Sequence, residues 1–180
     1  NPTYEKEAGI HFGIGLQNGN LTSVGKFAMN TTSSASGGWK SSNMRTTILG
    51  STGDKNSPTA GTFLSVLPQE VRNVMKVCTK YTYIPSSVTA TSDLLWLMSE
   101  YELMGSITYG STSEQTYQKQ YDYFKAGNSK ICYDTSAKAL SQWTRTKDAS
   151  YEYFIGCNMS GSIIRYSPSG AYGIIVCFGV

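Results

Sequence analysis

The chain has 180 residues, of which 39% are hydrophobic, so it can bury one core but is short for two domains. Its formal net charge of +3 comes from 15 basic and 12 acidic residues without a basic block, which argues against nucleic acid as a partner. Its longest apolar runs, residues 94–98 and 174–178, fall far short of the roughly 20 residues that span a bilayer, so we expect no membrane insertion.

The N-terminal part of the chain predicts one strand followed by a long loop. Apolar residues alternate with small or polar ones over residues 10–16, which is the pattern of a strand. Residues 17–38 are rich in Gly, Ser, Thr and Asn and predict mostly loop, with a second candidate strand at residues 25–29. Because the chain begins at Asn1 without a methionine or a leader, we expect it to be the C-terminal part of a longer protein.

Two short helices are predicted in the next third of the chain. A polar side chain at positions 41–43 can cap a short helix within residues 39–49. Pro68 stands where the first turn of a helix tolerates proline, and apolar residues follow at helical spacing as far as Cys78. This spacing predicts a helix over residues 68–78.

The C-terminal half predicts strands with little helix. Residues 94–98 form an apolar run of strand length, and Ser99 can cap a helical turn after it. Aromatic residues recur over residues 113–125 and indicate a helix or an irregular loop with one face on the core. After residue 141 the pattern is that of β-hairpins, with a turn at residues 158–161. The whole pattern is α+β, and nothing marks a domain boundary.

No arrangement of residues predicts a catalytic site. His11 is the only histidine and the Gly-x-Ser-x-Gly motif is absent, which argues against a serine hydrolase. We interpret Glu100 and Glu102 as solvated or capping carboxylates rather than a glycosidase pair. Gly13 and Gly15 lack the third glycine of a phosphate-binding loop. We therefore expect no enzymatic activity.

The four cysteines at positions 78, 132, 157 and 177 permit two disulfides, but their spacing gives no support for a metal site, and we favour buried thiols. Cys157 and Cys177 are the candidate thiol nucleophiles, and each lies in an apolar setting that should raise the pKa of its thiol. We therefore predict that both are inert.

Several separated segments, read in order, resemble a known family. They are Gly37-Gly38-Trp39 with Ser42 and Met44-Arg45, the helix at Pro68, Leu94-Trp96-Leu97-Met98-Ser99-Glu100, Tyr123-Phe124-Lys125 with Asn128, Trp143-Thr144-Arg145, Gly161 and Gly173. Residues 37–180 are similar to an uncharacterised domain of gut-bacterial and phage proteins that carries a Trp-Trp-x-Arg-Ser segment and a terminal Gly-Val-x-Pro-x-Phe. The chain departs from these motifs at four positions: Gln142, Thr146, Ile174 and Val176.

That family is similar to the C-type lectin-like fold, as are the variable proteins of diversity-generating retroelements. The resemblance implies a single C-type lectin-like domain over residues 1–180, with a small mixed sheet, two helices and long loops. It also implies a ligand-binding or receptor-binding display module on a virion or a bacterial cell surface. The implied partner is a protein or a glycan on a cell surface, and homo-oligomerisation stays open.

The resemblance also divides the C-terminal residues into scaffold and display positions. Implied scaffold residues are Trp143, Arg145, Gly161, Gly173 and Phe178. Implied ligand-binding positions are Thr144, Lys147, Ser150, Tyr151, Gly156, Ser160, Arg165, Tyr166, Ser167, Ser169 and Tyr172. Tyrosine and serine on a rigid scaffold suit protein and glycan ligands alike.

Calcium-dependent binding and two other function classes are the alternatives to this hypothesis. Asp134 and Asp148 have no acidic neighbour within two residues, so we expect no metal or other cofactor and a binding that is independent of calcium. A structural or oligomerising domain of a phage particle protein is the alternative function. An enzyme related to lectin-fold oxidases is the third class, and it would need a reactive cysteine.

Overall fold

The fold is a mixed α+β arrangement of short strands and short helices. A computed structural model describes residues 15–17, 20–22, 26–133 and 137–180. The strands are β1 (Gly15–Gln17), β2 (Asn20–Thr22), β3 (Phe27–Ala28), β4 (Cys78–Ile84), β5 (Ser87–Asp93), β6 (Trp96–Leu97), β7 (Cys132–Tyr133), β8 (Ala139–Leu140), β9 (Gln142–Lys147), β10 (Phe154–Cys157), β11 (Ile163–Tyr166), β12 (Ala171–Tyr172) and β13 (Val176–Cys177). The α-helices are α1 (Phe63–Val66), α2 (Gln69–Val74), α3 (Glu100–Met104) and α4 (Asp122–Lys125).

The strands form several small antiparallel sheets instead of one small mixed sheet. The largest by number of strands has the order β11-β10-β9, and β4 with β5 forms a separate hairpin whose two strands have seven residues each. Strands β3 and β6 pair with β12 and β13, so the C-terminal strands tie the two halves of the chain together. Among the described residues, parallel pairing is limited to an isolated bridge between Gln142 and Gly173. Short turns between consecutive strands favour this antiparallel arrangement.

The predicted C-terminal hairpin is confirmed. Strands β10 and β11 pair from Cys157 with Ile163 to Phe154 with Tyr166. In the turn, the Asn158 side chain accepts a hydrogen bond from the backbone of Ser160 at 2.9 Å, and Gly161 takes a φ of 84°. That φ favours glycine because a Cβ atom there is strained.

The helix predicted over residues 68–78 is shorter in the structure. Helix α2 ends at Val74, Met75 is extended and Cys78 already begins β4. The N–H of Lys76 donates to the carbonyl of Gly179 at 2.9 Å. Pairing with a segment about one hundred residues away in sequence therefore replaces the last helical turn, as tertiary contacts commonly override local propensity.

The strand predicted at residues 94–98 and the helical turn predicted after Ser99 are both present, but the strand is shorter than predicted. The strand β6 covers only two residues of the apolar run, although all five positions are buried. Ser99 caps α3 through a capping box: its Oγ accepts from the N–H of Glu102 at 3.0 Å, and its own N–H donates to that carboxylate at 3.0 Å. A left-handed Gly105 ends the helix.

The remaining elements differ in type from the sequence predictions. The strand expected at residues 10–16 is described only from Gly15, and His11 lies outside the described residues. The short helix within residues 39–49 is a 3-10 turn (Trp39–Ser41) followed by a π-helical turn (Met44–Ile48), and residues 113–125 hold a 3-10 helix (Thr112–Tyr117) and α4. None of the described helices is long and apolar enough to cross a membrane.

Trp143 lies at the centre of the main core, as predicted. Its indole is almost fully buried and meets the rings of Phe154, Tyr166 and Tyr172 edge-on. Its Nε1–H donates to the carbonyl of Phe27 at 2.7 Å, which satisfies the one polar atom of the ring. Phe178, which the resemblance placed in the scaffold, is instead 38% exposed.

Candidate functional site

Arg165, on the last strand of the three-stranded sheet, stands between two tyrosine rings. Its guanidinium carbon lies 4.1 Å from the ring centroid of Tyr109 and 4.9 Å from that of Tyr151. Its Nε–H donates to Oδ2 of Asp148 at 2.5 Å. This hydrogen bond raises the pKa of Arg165, so the side chain keeps its positive charge. A fixed planar cation with two aromatic neighbours can bind a carboxylate or another acceptor at its free edge.

Asp148 fixes the loop that carries Tyr151. Its carboxylate is buried, and Oδ1 accepts hydrogen bonds of 2.8 Å from the N–H groups of both Ser150 and Tyr151. Both oxygens of Asp148 are therefore engaged, one by backbone and one by Arg165. The pattern is an Asx turn, in which an aspartate holds the backbone that follows it.

Glu100 fixes the loop that carries Tyr109. Its fully buried carboxylate accepts backbone hydrogen bonds from Thr108, Tyr109 and Gly110, the shortest of them 2.6 Å and 2.8 Å. The N–H of Glu100 itself donates to Oγ1 of Thr146 at 2.9 Å. The interpretation of Glu100 as a solvated carboxylate is therefore wrong, because its charge is satisfied by main-chain donors.

Four side chains form an exposed surface, which we call the tyrosine–arginine patch: Tyr109, Tyr151, Tyr153 and Arg165. Tyr151 is 56% exposed and Tyr153 is 40% exposed, and their rings lie 6.4 Å apart. The side chain of Arg165 is 36% exposed. Because the supporting carboxylates are buried, the patch presents rings and a cation on an ordered backbone.

Three serines form a second exposed feature at the end of β11. The hydroxyls of Ser33, Ser167 and Ser169 lie within 3.1 to 3.3 Å of one another. The loop that carries Ser33 is joined to the patch through Glu152, which accepts a hydrogen bond of 2.6 Å from the N–H of Ala35. This hydroxyl cluster therefore extends the surface on which Tyr151 and Tyr153 lie.

Three predicted display positions are buried, which corrects the sequence prediction. Thr144 donates its hydroxyl proton to the carbonyl of Ile155 at 2.8 Å, and Lys147 donates to two backbone carbonyls at 3.0 Å each. A Cβ at Gly156 would lie 2.6 Å from the ring of Tyr166, so this glycine makes room for that ring. None of the three can present a side chain to a ligand.

The other predicted positions separate into three groups. Tyr166 and Tyr172 stack on each other with ring centroids 3.8 Å apart, and both meet Trp143 edge-on, so they support the core while half-buried. Ser160 is exposed at the hairpin turn. Exposed or half-buried positions at the patch and the hydroxyl cluster are Ser150, Tyr151, Arg165, Ser167 and Ser169. Only this last group converges on one surface.

The Trp-x-Arg segment forms a buried ion pair with helix α3. Arg145 is fully buried, and its Nη2 donates to Oε1 of Glu102 at 2.9 Å. Its Nη1 donates to the other oxygen of Glu102 and to the carbonyl of Leu97. Burial by itself would raise the pKa of Glu102, but the charge and hydrogen bonds of Arg145 outweigh it and lower that pKa. Glu102 is thus both a capping residue and the partner of a buried cation.

A second buried ion pair uses the Gly-Gly-Trp segment. Asp93 accepts a hydrogen bond from the indole of Trp39 at 2.9 Å and one from Nε of Arg45 at 2.7 Å. Thr91 donates its hydroxyl proton to the same carboxylate at 2.7 Å. The motif residues of both segments are therefore structural: they fix loops to strands through charges satisfied inside the protein.

Comparison with known proteins identifies the family. The sequence profile of a family described as a domain of unknown function, DUF6273, matches residues 21–180. The chain belongs to this family. The match starts before the segments that carry the sequence resemblance and reaches the same last residue. Neither a curated protein nor a solved structure matches this DUF6273 domain.

Sequence reasoning missed three residues of the candidate site. Tyr109 and Tyr153 were not singled out, and Asp148 was considered only as a calcium ligand. The signal for Asp148 was available, because Asp-Ala-Ser is a sequence that favours an Asx turn. Tyr109 carries no such signal, since a contact between residues 109 and 165 depends on the tertiary fold. Within the described ranges, no group of three or more His, Cys, Asp or Glu side chains could hold a metal ion.

The two cysteines considered as nucleophiles have raised thiol pKa values. Burial raises the pKa of Cys157 to about 11 and that of Cys177 to about 12. An increase in both thiol pKa values agrees with the sequence prediction. At neutral pH both side chains are therefore thiols, which are poor nucleophiles.

We expect Cys157 and Cys177 to react slowly with iodoacetamide in the native protein at pH 7.5. Their rates should be at least about 100-fold lower than in the guanidinium-unfolded chain, because so little thiolate is present. Timed alkylation followed by peptide mass spectrometry measures each cysteine separately. Labelling of either one at the unfolded rate would contradict the prediction and would reopen the enzyme alternative.

Proposed function

We propose that this domain is a ligand-binding or receptor-binding display module of a phage or bacterial surface protein. The tyrosine–arginine patch and the adjoining hydroxyl cluster are the proposed binding surface, and the ligand is a protein or a glycan on a cell surface. The observation that carries the proposal is the placement of Arg165 between Tyr109 and Tyr151, with Asp148 fixing both the cation and the loop beside it.

The composition of this surface supports recognition rather than catalysis. Tyrosine supplies a large contact area at a low cost in side-chain entropy, and serine supplies adaptable hydrogen bonds. A guanidinium beside aromatic faces adds a planar donor for carboxylate or amide groups. Asp148 and Glu100 accept hydrogen bonds from the backbone of the loops that carry Tyr151 and Tyr109. Because these loops are already ordered, they lose little conformational entropy when a ligand binds.

Within the α+β class, we propose that the domain has a C-type lectin-like fold. Support comes from the sequence resemblance and from the combination of small antiparallel sheets, short helices and long connecting segments. In this proposal the three-stranded sheet with the C-terminal hairpin is the scaffold, and the loops at residues 107–111 and 148–153 are displayed on it. The proposal is narrower than the sequence hypothesis, because the buried Thr144, Lys147 and Gly156 are excluded from the surface.

We expect Tyr151→Ala and Arg165→Lys each to weaken binding to cells by about tenfold or more, since buried or stacked tyrosine and arginine dominate interface energies. Arg165→Lys keeps the charge but loses the planar group that lies between the two rings. Binding of the fluorescently labelled domain to a panel of intact bacteria and to a glycan array, by flow cytometry and array fluorescence, provides the measurement.

Tyr133→Ala is the matched control, because Tyr133 is also an exposed tyrosine, 52% exposed, and takes no part in the patch. Thermal unfolding of all three variants checks that the fold is retained. If both patch variants bind the same cells and glycans as strongly as the control variant does, the proposed surface is wrong.

A further inference from the structure

A cavity of about 510 Å³ opens between strand β4 and the segment that joins the 3-10 helix Thr112–Tyr117 to α4. The buried ion pair of Glu102 and Arg145 forms part of its wall, and none of the proposed display residues lines it. Its volume falls within the range of small-molecule sites, which is roughly 300 to 1,000 Å³. The cavity is therefore a separate feature, and a ligand bound in it would be independent of the proposed function.

Lys80 places a nearly buried ammonium group in this cavity. Its side chain is 14% exposed, and its Nζ lies 4.0 Å from the centroid of the Trp96 ring. Among the described residues its closest anionic atom is Oε1 of Glu102, at 3.6 Å, which is longer than a hydrogen bond. The cation is thus held in position by the indole while its N–H donors remain available to an acceptor.

The charged residues that line the cavity leave an excess of one positive charge, and the buried Glu114, which accepts a hydrogen bond from Gln118, lies outside this lining. Glu102 is the buried anion, and both of its oxygens are already engaged by Arg145. Against it stand two cations, Arg145 and Lys80. Lys119 and Asp122 form an exposed ion pair at the rim, and their charges cancel. In addition, Nε of Arg145 is buried without a hydrogen-bond partner among the described residues, so the positive side of the cluster is incompletely matched.

An open aromatic face also lines the cavity. Tyr117 stacks on Tyr81 with ring centroids 4.5 Å apart, and Tyr117 is nevertheless 54% exposed. One face of the Tyr117 ring is covered by its partner, so the other can accept the apolar face of a ring-shaped ligand. Gln118 also lines the cavity, and its amide is held by the carbonyl of Tyr81 at 2.8 Å.

We propose that this cavity binds a carboxylated sugar, with the carboxylate on Lys80 and the sugar ring against Tyr117. A monocarboxylate matches the single excess positive charge, and a charge-assisted hydrogen bond from a nearly desolvated ammonium is stronger than one between neutral groups. The volume accommodates one or two sugar rings. A neutral sugar would offer the Lys80 ammonium only uncharged hydroxyl acceptors, which bind it less strongly than a carboxylate does, and a free inorganic anion would not use the Tyr117 ring.

The experiment is a titration of the ¹⁵N-labelled domain with D-glucuronate, with D-glucose as the neutral counterpart, followed by NMR. We expect D-glucuronate to bind with a Kd of about 1 mM and to shift signals of residues 79–81 and 117–122, with D-glucose at least about tenfold weaker. Shifts at these residues distinguish the cavity from the tyrosine–arginine patch, so failure of one proposal leaves the other standing.

Two variants and one control complete the test. Lys80→Met keeps an aliphatic chain over Trp96 and should weaken D-glucuronate binding by about tenfold or more. Lys40→Met makes the same change at an exposed lysine that does not line the cavity, and it should change binding by less than about twofold. Tyr117→Ala removes a ring that is 54% exposed, together with its stacking on Tyr81, and tests the sugar contact; thermal unfolding checks that this variant retains its fold.

The proposal is overturned by any of three results. The first is the absence of NMR shifts in the wild-type protein with about 20 mM D-glucuronate, a concentration well above the expected Kd. The second is equal binding of D-glucose and D-glucuronate. The third is unchanged D-glucuronate binding in both Lys80→Met and Tyr117→Ala.

Discussion

Replacing Arg145 with methionine is expected to lower the free energy of unfolding by about 3–5 kcal/mol. The variant leaves the buried carboxylate of Glu102 without its hydrogen-bonded cation, with Lys80 as the neighbouring cation at 3.6 Å, and the carbonyl of Leu97 loses its donor. Breaking a buried pair costs this much because the remaining charge has no water to solvate it. Urea unfolding followed by circular dichroism measures the change, and a loss of less than about 1 kcal/mol would contradict the prediction.

Two further variants separate the buried charge from the loss of a side chain. In the double variant Arg145→Met with Glu102→Gln, the unpaired carboxylate is removed, and the charge that remains beside it is that of Lys80, whose side chain is 14% exposed. The amide oxygen can still accept from the N–H of Ser99, so we expect part of the stability to return. Lys119→Met removes one partner of an exposed pair with Asp122 and should change stability by less than about 0.5 kcal/mol. If Arg145→Met and Lys119→Met lower the free energy of unfolding by equal amounts, burial of the charge is not the cause of the loss in Arg145→Met.

The stability of the domain is expected to fall as the pH rises from about 4.5 to about 7, because of Glu114. This carboxylate is fully buried, and burial raises its pKa from 4.5 to about 7, although hydrogen bonds from Tyr83, Gln118 and Thr146 act in the opposite direction. The folded state then binds a proton more tightly than the unfolded state does. The stabilisation is complete below the unfolded pKa and is lost through the folded pKa, a change of about 3 kcal/mol.

Urea unfolding between pH 5 and pH 8 tests this expectation. The range lies above the region in which the lowered pKa of Glu102 affects stability, since that contribution is lost only below the unfolded pKa. The matched variant is Glu114→Gln, which keeps an oxygen for the N–H of Tyr83 and cannot ionise. Its stability should be nearly independent of pH in this range, and an equal slope in both proteins would show that another group titrates.

Local sequence signals predicted the elements that are governed by local hydrogen bonds. Ser99 with Glu102 forms the expected cap, and the Asn158 turn forms where its residues favour one. The helix beginning at Pro68 was also predicted, but its end was not. The contact between Lys76 and Gly179 that ends the helix joins distant parts of the chain, and no local pattern contains it.

The candidate site was predicted only in part, for reasons that particular residues make clear. Tyr151 and Arg165 were expected on the surface and lie there. Thr144 and Lys147 were expected to point outward, but every residue of β9 is buried. A strand that is covered on both faces loses the alternation on which such a prediction depends. Glu100 was misjudged for a related reason: its partners are backbone N–H groups of a loop, which have no sequence signature.

The anchoring of two loops by Glu100 and Asp148 has a consequence for how the surface can change. Each carboxylate accepts hydrogen bonds from backbone N–H groups, and every amino acid except proline provides this N–H at positions 109, 150 and 151. Side chains at these three positions can therefore be exchanged while the hydrogen bonds that hold the two loops are kept.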